Sequence, residues 1–175
     1  LNLEDNIFQL HEELISKTYK HSQYSDFYVS DPKRRHIHKA CVRDRVVHQA
    51  IYRVLYKIFD KHFIYDSYSS RKSRGTHLGV ERSFRACRKV SKNWRIKIYV
   101  LKCDVRKFFD SIDHSVLRNL IEREISCEDT IALIDLLFES FEKDKGKGLP
   151  LGNVTSQLFA NIYLNELDQF VKHKL

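Results

Sequence analysis

The sequence predicts a mixed fold, α/β or α+β, on three observations. Helical periodicity recurs along most of the chain. A short strand pair broken by Asp31-Pro32 lies near the N-terminus. Between two helical stretches, a largely apolar run from Ile96 to Cys103 ends on a single acid, Asp104.

In order along the chain, Asn2 to Tyr19 reads as an amphipathic helix, with Leu3, Ile7, Leu10, Leu14 and Ile15 near helical spacing. Phe27-Tyr28-Val29 is a short strand, Asp31-Pro32 a turn, and Arg35 to Lys39 a returning strand. Asp44 to His62 is the clearest helix, capped by Asp44, with Val47, Ile51, Val54, Leu55 and Ile58 on one face. Ser67 to Gly75 is a polar, basic loop, and Thr76 to Lys92 a helix with a strongly basic side. Ile96 to Cys103 has few breaks and reads as a buried strand. His114 to Ile125, Glu128 to Glu142 and Asn153 to Val171 are helices, with a loop at Lys143 to Gly148. The part up to about Asp66 is a basic hairpin and helix. The rest is a second unit built round the Ile96–Cys103 strand.

Composition narrows the function classes. The chain has 175 residues, and 42% are hydrophobic, enough for a packed core. Its formal net charge is +8, which points to a polyanionic partner such as nucleic acid. No apolar run approaches the roughly 20 residues of a membrane span, and the charged N-terminus is no signal peptide. Cys41, Cys87, Cys103 and Cys127 lack C-x-x-C spacing and read as free thiols of a reducing cytoplasm. His36 and His38 would share one side of a strand, but no Cys or acid nearby completes a zinc set. The chain contains no Met, so it reads as a trimmed or partial sequence.

Three constellations carry chemistry. Lys33, Arg34, Arg35, Lys39, Arg43 and Arg45 crowd the hairpin, offset by Asp31 and Asp44. Arginine suits bidentate phosphate contacts, although a solvated basic face has the same composition. Ser67 to Thr76 sets hydroxyls, basic residues and a glycine before a helix, and Arg82, Arg85, Arg88, Lys89 and Lys92 extend the positive field. Gly148-Leu149-Pro150-Leu151-Gly152-Asn153 allows a tight backbone path that a ligand can approach, with a helix directly behind it. To these, Tyr99 to His114 adds Asp104 and, five residues on, Phe109.

Together and in this order, the segments resemble the fingers and early palm of bacterial reverse transcriptases. Arg35 to Arg45 (RHIHKACVRDR) followed by VVHQAI resembles the first block of that family, and DSYSSRKSRGTHLGV the second. KCDVRKFFDSIDH is similar to the motif of the first catalytic aspartate, and GLPLGNVTSQLFANIYLNELD to the glycine-rich loop and helix under the incoming nucleotide. The form L-G-x-x-x-S-Q, with Leu151 and Ser156-Gln157 in place of the usual Gln and Ser-Pro, resembles the reverse transcriptases of diversity-generating retroelements. Group II intron, retron and phage-defence enzymes are the alternatives, as is an inactive RNA-binding relic.

The resemblance implies an α+β polymerase right-hand fold. Residues 1–95 would be fingers-like, and 96–175 a partial palm with a truncated antiparallel sheet. It implies RNA-directed DNA polymerase activity, with template RNA, primer or cDNA, dNTPs and a basic accessory protein as partners, no membrane, and a bacterial cytoplasmic location. Asp104, with the Val105 carbonyl, would hold Mg²⁺ or Mn²⁺, and Asp104 would be the catalytic residue. Lys33 and Arg35 would hold the triphosphate, and Phe109 would meet the sugar, with Phe108 in the core. Pro150, Leu151 and Gly152 would line the nucleotide pocket, and Arg71 and Arg74 would bind nucleic acid. Asp110 and Asp113 read as turn and cap residues. No Asp-Asp pair occurs, so the family's aromatic-x-Asp-Asp hairpin is missing, and two-metal chemistry needs carboxylates that bridge both ions. The expectation is a truncated chain, inactive alone.

Overall fold

A computed structural model describes residues 3–30 and 32–175. Seven helices and one hairpin are present among them: α1 (Leu3–Ile15), β1 (Ser25–Ser30), β2 (Arg34–Lys39), α2 (Val42–Phe59), α3 (Thr76–Val90), α4 (Phe108–Ser111), α5 (His114–Glu122), α6 (Glu128–Glu139) and α7 (Val154–His173). Asn2 and the Asp31 half of the expected turn lie outside the described residues. No helix of the described residues is long and apolar enough to cross a membrane.

The core forms where α2 packs on α7 and α5 packs on both α6 and α7. On α2, Val47, Ile51, Leu55 and Phe59 recur at helical spacing and are buried. They meet Leu117 and Ile121 of α5, Ile134 and Phe138 of α6, and Leu158, Phe159 and Ile162 of α7 in one cluster. Residues from either side of the expected boundary at 95 therefore share one core. Val54, expected on the apolar face of α2, points to solvent. The inward places beside the aliphatics go instead to His48, Tyr52 and Tyr56.

The cap of α2 also differs from expectation. Cys41 is the N-cap, and its sulfur accepts from the Asp44 amide. The Asp44 carboxylate is fully buried and accepts from the Tyr19 hydroxyl at 2.9 Å, the Ser22 amide at 3.0 Å and the Cys41 thiol at 3.1 Å. Burial alone would raise its pKa, but the bonds from Cys41 and Tyr19 override it and hold the carboxyl below its ordinary value. Asp44 thus staples the segment before the hairpin to α2.

The hairpin is regular: Ser25 pairs with Lys39 and Ser30 with Arg34, antiparallel throughout. Side chains alternate across it. Residues 34, 36 and 38 face one way, and 35, 37 and 39 the other.

The largest correction concerns Ile96–Cys103. It forms no strand and is open to solvent, with Tyr99, Val100 and Leu101 86%, 76% and 88% exposed. A strand needs a neighbour to take its backbone hydrogen bonds. Among the described residues the sheet consists of β1 and β2 alone, so the run has the composition of a buried strand without a partner.

Candidate nucleotide site

The glycine-rich loop is the hub of the site. Gly148 and Gly152 adopt φ of +108° and +116°, in a region that other residues rarely enter. A Cβ at Gly152 would lie 2.8 Å from Ile37 Cγ2 and 3.4 Å from the His38 carbonyl, so glycine lets β2 settle directly on the loop. The His38 amide donates to the Leu151 carbonyl at 2.8 Å. The Asn153 side-chain amide returns to the His38 carbonyl at 3.2 Å, a link that leaves α7 without a side-chain cap from its N-cap residue. Ile37 and Arg35 leave β2 on the same face, so Arg35 emerges on the side that meets the loop.

On its other flank the loop is tied to the segment that follows Asp104. The Leu149 amide donates to the Phe109 carbonyl at 2.8 Å, and the Gly148 amide to the Ile112 carbonyl at 2.9 Å. The His114 amide donates to Gly146, and its Nε2 lies 2.6 Å from the Gly148 carbonyl, an N–H donating to oxygen. The rings of Phe108 and Phe109 both pack partly against the core. Asp113 caps α5, accepting from the amides of Ser115 and Val116. The Ser115 hydroxyl is the chief cause of its lowered pKa, with the Val116 amide next. Asp110 lies within α4.

Asp104 is exposed on the irregular segment before α4, with Val105 beside it. Among the described residues no group of three or more His, Cys, Asp or Glu side chains is arranged to hold a metal. Lys33 and Arg35 are exposed on the hairpin, Pro150 is buried in the loop and Leu151 half-buried.

The two loop arginines have different fates. The Arg71 guanidinium is turned into the protein, donating to the Asp60 carboxylate at 2.8 Å and to the carbonyls of Ile64, Ser67 and Asp60. Its donors organise the loop. Arg74 lies over the Tyr65 ring at 4.2 Å, and Arg82 approaches the same ring at 5.4 Å. Asp66 joins this loop to α3 through Arg82 and to α7 through Lys172. Its pKa is held down to about 2 by a hydrogen bond from Lys172, with Arg82 and Tyr68 adding to it.

The opposite face of the hairpin carries a stacked ladder that sequence reading missed. Arg34 covers Tyr28 at 4.1 Å, Tyr28 stacks on His36 at 4.5 Å, His36 meets His38 at 4.4 Å, and His38 meets Phe141 at 4.5 Å. His36 also donates to Asp26. Burial lowers the proton affinity of His38, and His36 adds to the effect. The i, i+2 histidine spacing was the available signal, and it marks stacking. His114, Asn153 and Ile37 were also missed as connectors, because their partners are distant in sequence.

Backbone hydrogen bonds thus join the hairpin, the Phe109–Ile112 segment and the glycine loop ahead of α7. The profile described as reverse transcriptase (RNA-dependent DNA polymerase) matches residues 20–175, and the chain belongs to that family. It is 28% identical over 176 residues to Protein YkfC of Escherichia coli K12, covering 94% of this chain and 45% of that protein. It is 27% identical over 189 residues to the group II intron-encoded protein LtrA of Lactococcus lactis subsp. cremoris, covering 97% of this chain and 30% of LtrA. A solved structure titled partial Cas6-RT-Cas1–Cas2 complex has a similar fold, with a TM-score of 0.56 and 19% identity over 98% of this chain and 30% of that one. The chain thus spans less than half the length of these relatives.

Proposed function

We propose that this chain is the fingers and early palm of an RNA-directed DNA polymerase. The supporting observation is the convergence at the glycine loop, with Leu151 bonded to β2 and Leu149 to the Phe109 carbonyl. In the intact protein the primer 3′-hydroxyl attacks the α-phosphate of a dNTP and pyrophosphate leaves. The chain's contribution is positioning and charge neutralisation. Arg35, on the loop-facing side of β2, and Lys33 at the hairpin bend hold the triphosphate. Phe109, anchored through its carbonyl, sets its ring against the sugar and excludes a 2′-hydroxyl. Pro150, Leu151 and Gly152 line the pocket for the base pair. Arg74 binds the nucleic-acid backbone, and Arg71 shapes the loop that presents it.

The donor set at the start of the palm fits a hard cation, since an exposed carboxylate and a carbonyl oxygen are what Mg²⁺ accepts alongside substrate phosphates. Asp104 and the Val105 carbonyl would hold Mg²⁺, or Mn²⁺ in its place, and the ion would supply charge neutralisation at the phosphates. A second carboxylate able to bridge two ions is not among these donors. The whole protein's template and primer are an RNA template and a DNA or RNA 3′ end.

Within the family, Leu151 and the Ser156-Gln157 pair favour error-prone cDNA synthesis of the diversity-generating kind. Leu151 is half-buried where the usual Gln would offer a hydrogen bond to the nascent pair. Similarity to LtrA favours a group II intron-type enzyme as the second reading.

The test is primer extension by the intact protein on an RNA template. Asp104→Asn is expected to remove several kcal/mol of transition-state stabilisation, a loss of a thousandfold or more, with RNA affinity unchanged. Undiminished synthesis would sink the assignment. Errors concentrated at template adenines support the diversity-generating subtype, and an even error spectrum supports the intron type.

A further inference from the structure

Two helices near the N-terminus present outward faces of opposite charge. On α2 the outward row is Val42, Arg45, Val46, Gln49, Ala50 and Arg53, around a shallow cleft of about 460 Å³, and it continues through Val54 and Lys57. All are exposed, at the three- and four-residue spacing that puts side chains on one helix face. The one acid of α2, Asp44, is buried on the inner side. Arg43 is paired with Glu13, but Arg45, Arg53 and Lys57 have no acidic partner among the described residues. The face is a row of small aliphatic side chains edged by unpaired cations.

On α1, Glu4, Phe8, Glu12 and Ile15 fall on one row with Asp5 beside it, and all five are exposed. The helix contains no Lys or Arg. Glu4 and Asp5 have no basic partner among the described residues, and Glu12 meets only His11, at 3.7 Å. The inner side of the same helix is committed, with Leu10 in the core and Glu13 on Arg43. One side therefore holds α1 to its own chain, and its outward face cannot turn onto its own α2.

The two faces match in length, each roughly 20 Å, and in kind. A phosphate backbone would answer the cations of α2 but gain nothing from covering Val42, Val46, Ala50 and Val54. An acidic helix with apolar side chains of its own answers both. Such a helix is present in every copy of this chain.

We propose that two copies of this chain associate, α1 of each lying along the outward face of α2 of the other. Phe8 and Ile15 cover the valines, and Glu4 and Glu12 meet Arg45 and Arg53. Each copy supplies both halves, so two reciprocal contacts close a two-fold dimer. The pairing depends on neither the glycine loop nor the reaction of the intact protein.

The test is sedimentation equilibrium of the intact protein, free of nucleic acid, across the micromolar range. The expected mass rises from one copy to two and no further. Two charge-swapped variants probe the two faces: Glu4→Lys with Glu12→Lys, and Arg45→Glu with Arg53→Glu. Each alone should weaken self-association by at least tenfold, about 1.4 kcal/mol, with an unchanged thermal melt. Mixed together they should restore a dimer of one copy of each, because both contacts then set an acid against a base. Phe8→Ser, which keeps every charge, should also weaken the dimer. A single-copy mass at every concentration, a dimer indifferent to both swaps, or no dimer on mixing overturns the proposal. Loss of RNA affinity in the Arg45→Glu, Arg53→Glu variant of a protein that never dimerises reassigns the α2 face to nucleic acid, and overturns it too.

Discussion

The backbone amide of His38 donates to the carbonyl of Leu151 at 2.8 Å. This bond, with the Asn153 link to the His38 carbonyl across 115 residues of sequence, joins the basic hairpin to the glycine loop. The hairpin's position over the site therefore depends on how closely the loop backbone can approach it, and that depends on a missing side chain.

Gly152→Ala should accordingly cost about 2 kcal/mol, from a non-glycine residue at positive φ and from the clash with Ile37. Thermal unfolding measures the loss, and the KM for dNTP in the intact protein should rise with it. Adding Ile37→Ala should recover the steric part and leave the backbone strain. A double variant no better than the single one would place the defect elsewhere.

Phe109→Ala in the intact protein should raise rNTP incorporation relative to dNTP by about tenfold. The Phe109 carbonyl keeps its bond to the Leu149 amide in this variant, so the backbone frame survives. Competition assays with paired dNTP and rNTP measure the ratio. Unchanged discrimination would return Phe109 to a packing role.

The two loop arginines should separate cleanly. Arg71→Ala removes a guanidinium that is nearly buried and serves four acceptors, so it should destabilise the chain by about 3 kcal/mol in urea unfolding. Arg74→Ala should leave stability within about 0.5 kcal/mol. It should weaken RNA binding and lower the salt slope by about one. A reversed pattern would reinstate Arg71 as the nucleic-acid contact.

Acid should weaken the fold through His48. Burial, with His21 adding to it, lowers its pKa from 6.5 to about 4. Its Nδ1 lies 2.6 Å from the Thr155 hydroxyl and its Nε2 3.1 Å from His21 Nε2, so it holds α2 to α7 in its neutral form. Between pH 6.5 and 4 the unfolded chain takes up a proton that the folded chain refuses. The His48 contribution to stability therefore falls as pH drops through that window, by up to about 3 kcal/mol, and levels off below it. The lowered carboxyls of Asp44 and Asp66 lose their contribution below their ordinary value of 3.8; within the window His38, also lowered by burial, adds to the fall and Asp168, raised by burial, opposes it. Urea midpoints from pH 7 to 4 measure the slope, and His48→Gln should reduce it.

Leu151→Gln tests the fidelity reading. The variant restores a hydrogen-bonding side chain at a half-buried loop position without disturbing the Leu151 carbonyl that receives the His38 amide. Misincorporation by the intact protein should fall by about tenfold, scored by sequencing the cDNA. An unchanged error rate would remove Leu151 from the account.

Periodicity in the sequence determined the long helices, while the single turn α4 (Phe108–Ser111) carries no such signal. The stripe of Val47, Ile51 and Leu55 on α2 and the acids opening α6 are local signals, because a helix satisfies its own backbone. The motif residues and their order, from Arg35 through Asp104 to Gly152, determined the family. Tertiary structure decided what depends on a partner elsewhere in the chain. Ile96–Cys103 has a strand's composition yet remains irregular, because a strand exists only through a neighbour's hydrogen bonds. Asp44 is a cap by sequence and a buried staple in space, because Tyr19 and Ser22 fold back onto it. Arg71 is a basic loop residue by sequence and a structural tie in space, because Asp60 and three carbonyls lie within its reach. Glycine at 152 was legible in the motif, but its need for φ of +116° and contact with Ile37 arises only once the hairpin settles on the loop.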